Sequence, residues 1–281
     1  MVLATYGPRP YTVASVQQTL HETQAFYERS SYGQMRLRPQ VTGWLTAFSA
    51  RPHCADWTSR DTSRLDVFVA PARAAAVAAG YNVAAYDRVV YNVVGSDCQF
   101  LGIAWGRSAV VTQEPTAALV VHELGHTYGL AHAASAACAV TCPIDETGDP
   151  FSPMGEGFSD FSTYEKRQLG WLPEPLRVSR AGTYRLAKAD AKSALPHTLI
   201  VPSAAGDYWL ELRKGRGLVV RLVMTDSAAP PFAASAILLM NPTKKRRPWV
   251  ASGETFRASG LFTAKLSPRG VRFTLTDQTA G

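Results

Sequence analysis

Charged residues are sparse in this chain of 281 residues: Asp, Glu, Lys and Arg make up 18% of it, against 46% hydrophobic residues. So apolar a composition excludes a disordered chain or a coiled coil. Long hydrophobic runs are missing too. None approaches the roughly 18 residues that cross a bilayer, which excludes a membrane span. An N-glycosylation acceptor is also lacking, because Pro242 occupies the middle of Asn241-Pro242-Thr243. No internal repeat and no low-complexity tract stands out beyond mild alanine richness.

Cysteine is limited to Cys54, Cys98, Cys138 and Cys142, with no C-x-x-C pair. An even count of this kind suits two disulfides, and four cysteines allow three pairings. The pairing favoured here is Cys54–Cys98 with Cys138–Cys142. In the chain-entropy model a loop of about 45 residues is worth roughly 4 kcal/mol and one of about five roughly 2 kcal/mol. The alternative is four buried thiols in a reducing compartment. Disulfides imply an oxidising, extracellular destination. Met1 to Thr5 has no apolar signal core, so secretion calls for a leader ahead of residue 1.

The net charge is +7, and its one dense cluster, Lys244-Lys245-Arg246-Arg247, reads as a solvated loop. Nucleic-acid binding would need a basic stripe with interleaved aromatics. Lys244 to Trp249 is the only fragment that comes close, so no nucleic-acid partner is expected.

The length suits about two domains. An amphipathic helix is predicted over 15–30, capped by Ser15, burying Val16, Leu20, Phe26 and Tyr27 and ended by Gly33. Met35-Arg36-Leu37-Arg38 alternates as a strand does. A second helix is expected over 64–79, closed by Gly80. The β-branched run Arg88 to Val94 reads as a buried strand, and Phe100 to Val111 as an edge strand with a bulge. Pro115 fits the first turn of a helix that Thr116 to Tyr128 continues. A loop-rich stretch follows from Ala131 to Phe161, then a short helix over Ser162 to Leu169. Beyond the linker prolines Pro173 and Pro175 the pattern turns almost wholly β. Strands are expected at Gly182–Leu186, His197–Val201, Tyr208–Arg213, Leu218–Met224, Ala236–Met240, Thr255–Ala258, Leu261–Leu266 and Val271–Thr276. The fold class is therefore α+β: a mixed-sheet domain over 1–173, and a small sandwich-like all-β domain over 174–281.

Three of the 6 histidines fall within His122-Glu123-Leu124-Gly125-His126-Thr127-Tyr128-Gly129-Leu130-Ala131-His132. The five fixed letters of H-E-x-x-H-x-x-G-x-x-H arise by accident in such a chain with odds on the order of 10⁻⁵. Residues four apart share a helix face, so His122 and His126 can ligate one metal. Six residues rotate a helix by about 600°. His132 can therefore join them only if the chain leaves the helix, and Gly129 supplies that break. Three imidazoles suit one catalytic zinc with an open fourth position, and Glu123 borders them as a general base for water.

The motif resembles that of the metzincin zinc endopeptidases, a family that adds a methionine-containing turn beneath the metal. Ser152-Pro153-Met154-Gly155 matches that turn. Its flank Gly148 to Phe151, together with Glu165 to Leu172 and Ser31-Tyr32-Gly33 ahead of a Val41-Thr42-Gly43-Trp44 strand, is similar to the gametolysin-like peptidases. The resemblance covers roughly residues 10–172. It implies a secreted endopeptidase whose edge strand, Gly102 to Val110, pairs with an extended protein or glycoprotein substrate. Some metzincins place a tyrosine ligand two residues after the methionine. Glu156 stands there, so that role is not carried over, and Tyr164 is read as a packed tyrosine.

Arg51-Pro52-His53-Cys54 faintly resembles a silencing pro-segment cysteine, but Cys54 is assigned to a disulfide. Asp145, Glu146, Asp149 and Asp160 crowd the turn and suggest a calcium site, though their spacing matches no calcium loop. A monomer is expected. The other reading is an inactive metzincin shell serving as a glycan- or protein-binding module. Retention of Glu123 argues against it, because a zinc-binding shell does not need that carboxylate.

Overall fold

A computed structural model describes residues 1–54, 63–136, 144–204, 206–223, 236–239, 247–258 and 260–275. It is mixed α+β with several sheets. Contacts divide the chain into two units: Met1–Arg29 with Met35–Leu130, and Ser30–Gln34 with Ala131–Gly281. The first unit closes at Leu130.

The first unit runs β1 (Val2–Thr5), α1 (Val13–Ser30), β2 (Trp44–Thr46), α2 (Ser63–Ala78), β3 (Val89–Val93), β4 (Gly102–Trp105), β5 (Ser108–Val111) and α3 (Ala117–Thr127). Its sheet has the order β2-β1-β3-β5-β4. All pairs are parallel except β4 with β5. Alternate residues of the strands point to opposite faces. Val2, Ala4, Tyr91, Val93 and Val110 therefore meet Phe68, Val69, Ala72 and Ala76 of α2 in one cluster. The intervening Leu3, Val90, Ala109 and Val111 are buried as well, so the strands read as near-continuous apolar runs. Tyr27 Oη of α1 donates to Val121 O of α3 at 3.1 Å. The disulfide joins Cys54 to Cys98 beside α2, as expected, with Cα atoms 4.7 Å apart. Cys138 and Cys142 lie outside the described residues.

Four local expectations are corrected here. Thr12, not Ser15, caps α1: Ser15 N donates to Thr12 Oγ1 at 3.0 Å, which places Ser15 inside the first turn. Met35 to Arg38 is irregular, and the nearest strand is Trp44–Thr46. Alternation alone did not guarantee a pairing partner. Phe100 to Val111 is not one bulged strand but the hairpin β4–β5, because Gly106 (φ +51°) reverses the chain. Pro115 precedes the N-cap of α3, Thr116, whose hydroxyl accepts from Leu119 N.

The second unit holds β6 (Ala134–Ala136), β7 (Ile144–Asp145), α4 (Thr163–Gln168), β8 (Leu176–Arg177), β9 (Gly182–Tyr184), β10 (Thr198–Ser203), β11 (Gly206–Arg213), β12 (Gly217–Val223), β13 (Ala236–Leu239), β14 (Thr255–Ala258), β15 (Phe262–Ser267) and β16 (Gly270–Leu275). Two sheets form, β7-β6-β13-β12-β11-β10-β8 and β14-β15-β16-β9. They share a core in which Leu199, Leu210, Leu218 and Val220 meet Phe262, Ala264, Val271 and Phe273. β6 and β7 lie in the stretch read as loop, and β8 follows directly on the linker prolines, ahead of the first strand expected there. β6 pairs in parallel with β13, which ties the segment after α3 to the β-rich sheet and explains where the unit begins.

Helix α4 starts as predicted at Ser162, with a capping box to Glu165. It belongs to a buried polar network. Asp149 pairs with Arg221, Arg221 Nη2 reaches Glu211 Oε1 at 3.3 Å, and Arg213 Nε reaches the same oxygen at 2.8 Å. Lys166 Nζ reaches Asp160 Oδ2 at 2.6 Å, and Arg213 Nη1 donates to Asp160 O.

Candidate metal centre

Thr116 starts α3 and Gly129 stops it. Gly129 N donates to His126 O at 2.9 Å and Leu130 N to Gly125 O at 3.0 Å, the paired bonds of a Schellman stop. That stop puts Gly129 at φ +90°, a conformation glycine adopts without the strain of a Cβ. His122 and His126 sit one turn apart on α3, with Nε2 atoms 3.0 Å from one another. The His126 Nδ1 lies 2.8 Å from Leu130 O. A proton there is donated to the carbonyl, which makes Nε2 the nitrogen whose lone pair could ligate a metal.

His132 follows the stop. Its ring nitrogen and those of His122 and His126 all lie within 4.8 Å of one another, so the three histidines can hold a metal ion. His132 Nδ1 faces Glu146 Oε1 at 2.7 Å, the carboxylate–imidazole pairing that orients metal-ligating histidines. The neighbouring Ala133 is held on both sides: its N donates to Met154 O at 2.8 Å, and its O accepts from Asp149 N at 3.1 Å. The turn at Met154 thus fixes the backbone next to His132. Met154 itself is wholly buried, and its backbone N donates to Ser152 Oγ at 3.1 Å. A Cβ on Gly155 would lie 2.6 Å from Asp149 O, so the turn requires glycine there.

Glu123 is 3% exposed, and its Oε2 has no hydrogen-bond partner among the described residues. Desolvation pushes its carboxyl up to about 8. Gly102, the first residue of β4, leaves the space the carboxylate occupies. A cation at the adjoining histidines would offset that desolvation. Three converging imidazoles, with a buried carboxylate beside them whose Oε2 lacks a partner among the described residues, are a donor set that fits a metal ion.

The acidic residues considered for calcium have other partners. Asp145 Oδ1 accepts from Thr147 N, Glu146 faces His132, Asp149 pairs with Arg221 and accepts from Phe151 N, and Asp160 pairs with Lys166. Among the described residues the three histidines are the cluster with metal-ligand spacing. Tyr164 packs edge-on to Trp209 with centroids 5.1 Å apart. Glu156 is exposed. His53 pairs with Asp97 beside the disulfide. Lys244, Lys245 and Arg246 lie outside the described residues, while Arg247 pairs with Glu254.

Sequence reasoning missed two residues at this centre. Glu146 was grouped with the acidic cluster, and Gly102 was placed in the edge strand with no role of its own. The first depends on a strand register and the second on which helical residue faces the strand, and neither leaves a periodic signal. The family models searched include none that matches this chain, and the curated proteins compared with it yield no match.

Proposed function

We propose that this chain is a secreted zinc endopeptidase of metzincin type, with His122, His126 and His132 as ligands and Glu123 as general base. The observation that supports it most is the convergence of three imidazole nitrogens beside a buried carboxylate whose Oε2 lacks a partner among the described residues. When bound, zinc supplies a Lewis acid with an open position for water and the scissile carbonyl.

The chain's own residues do the rest. Glu123 takes a proton from the attacking water and returns it to the leaving amine. Leu130 O and Glu146 fix the ring orientations of His126 and His132. The strand β4 ends the five-stranded sheet, so its outer backbone groups can pair with an extended protein substrate. The disulfide is compatible with an extracellular setting.

A mixture of denatured proteins, read by mass spectrometry alongside zinc content, tests this reading. Glu123→Gln should retain zinc and lose cleavage by about 10²–10⁴-fold, and His126→Ala should lose both. Cleavage that survives in Glu123→Gln, or after chelation, would sink the proposal.

A further inference from the structure

The sheet β14-β15-β16-β9 has two unlike faces. Phe256, Phe262, Ala264, Val271 and Phe273 turn inward to the core. Residues alternating with them point the other way, and Arg257, Lys265 and Arg272 are among these and exposed. Residues 255 to 276 contain these three cations and Arg269, and no Asp or Glu. Lys265 stands directly opposite Arg272 across β15 and β16.

Like charges in that position weaken a sheet. Protection of sheet edges does not account for them, since that device belongs on edge strands, and β15 and β16 are the two interior strands. Among the described residues no carboxylate pairs with Lys265, Arg269 or Arg272. Hydroxyls interleave with the cations: Thr183 lies opposite Arg272, and Thr263 opposite Arg257. Thr183, Lys265, Ser267, Arg269 and Arg272 line an open recess of about 570 Å³.

We infer that this face binds a sulfated polysaccharide. Its sulfates would meet cations one strand spacing apart, about 4.8 Å, and its sugar hydroxyls would meet the threonines. Single-stranded nucleic acid fits less well, because it binds by stacking bases on aromatic rings, and the aromatics of this sheet turn inward. The binding is independent of the metal centre.

The test is binding of the full chain to heparin, to chemically desulfated heparin and to single-stranded DNA, at low and high salt. Heparin should bind, with affinity falling as salt rises, and the desulfated polymer should not. Lys265→Glu should weaken heparin binding on the order of tenfold while its Tm holds or rises, since it sets opposite charges across from one another. Arg269→Ser, in the exposed turn, should also weaken binding without loss of fold. Equal binding of the desulfated polymer, tighter binding of DNA than of heparin, or unchanged heparin affinity in both variants would overturn the inference.

Discussion

At position 102 an added Cβ would stand 2.3 Å from Oε1 and 2.6 Å from Cδ of Glu123. A contact that short forces one of the two to move. Glu123 is buried, so its carboxylate has little room in which to do so. Gly102→Ala should therefore lower turnover by roughly 10–100-fold, the scale of an ångström-sized misplacement, with zinc content unchanged. Overpacking should cost about 1–3 kcal/mol of stability. Steady-state cleavage rates, elemental analysis and thermal melts on one preparation check this, and wild-type turnover in Gly102→Ala would refute it. That His122 and His126 share a face of α3 was legible from their spacing, because a helix converts sequence distance directly into direction. Gly102 was not, because what it accommodates comes from a helix 21 residues further along.

Among the elements, the short hairpin after α3 matters most. β6 and β7 are antiparallel, with Ser135 opposite Asp145 and Ala136 opposite Ile144. Continuing that register carries Glu146 back alongside the residues that follow His132, and its carboxylate meets the imidazole Nδ1 at 2.7 Å. Loss of such a partner usually costs 10–100-fold in metal affinity. Glu146→Ala should show a drop of that order in competition with a chelator, and Glu146→Gln, which keeps an acceptor, a smaller one. The Glu146 side chain is 50% exposed, so neither change should disturb the fold; equal metal affinity in all three chains would exclude the role. The stretch had read as loop, since strands of three and two residues leave too few positions for alternation to register. The longer strands β10 to β12 and β14 to β16 were legible within a residue or two at each end.

Across the molecule, the β-rich unit is organised by charge as well as by its apolar core. Arg221 is 1% exposed, as is Glu211. Together with Asp149 and Arg213 they link β12 and β11 to the turn at Met154. Burial would raise the Glu211 carboxyl, but Arg213 and Arg221 pull it down to about 2. Unfolded, that carboxyl titrates near about 4.3. Between these values the unfolded chain takes up a proton that the folded chain refuses. The stabilisation is thus complete above about pH 4.3 and is lost as pH falls towards 2, on the order of 3 kcal/mol. Burial pushes Glu165 up, so its contribution runs the other way and trims the loss. Urea midpoints measured from pH 5 to pH 2 should fall; a flat or rising series would contradict the pairing.

Sequence alone determined the histidine triad that could hold a metal ion, the helices, most strands and the disulfide Cys54–Cys98. Each is a local pattern, or a pairing among few candidates, and its physics is read over one turn or one alternation. Tertiary structure decided where the units divide, how Glu146 meets His132, what Gly102 makes room for, and that Lys265 faces Arg272. These depend on register and on long-range pairing, such as β6 with β13. Residues about a hundred positions apart become neighbours there only because a shared core holds both.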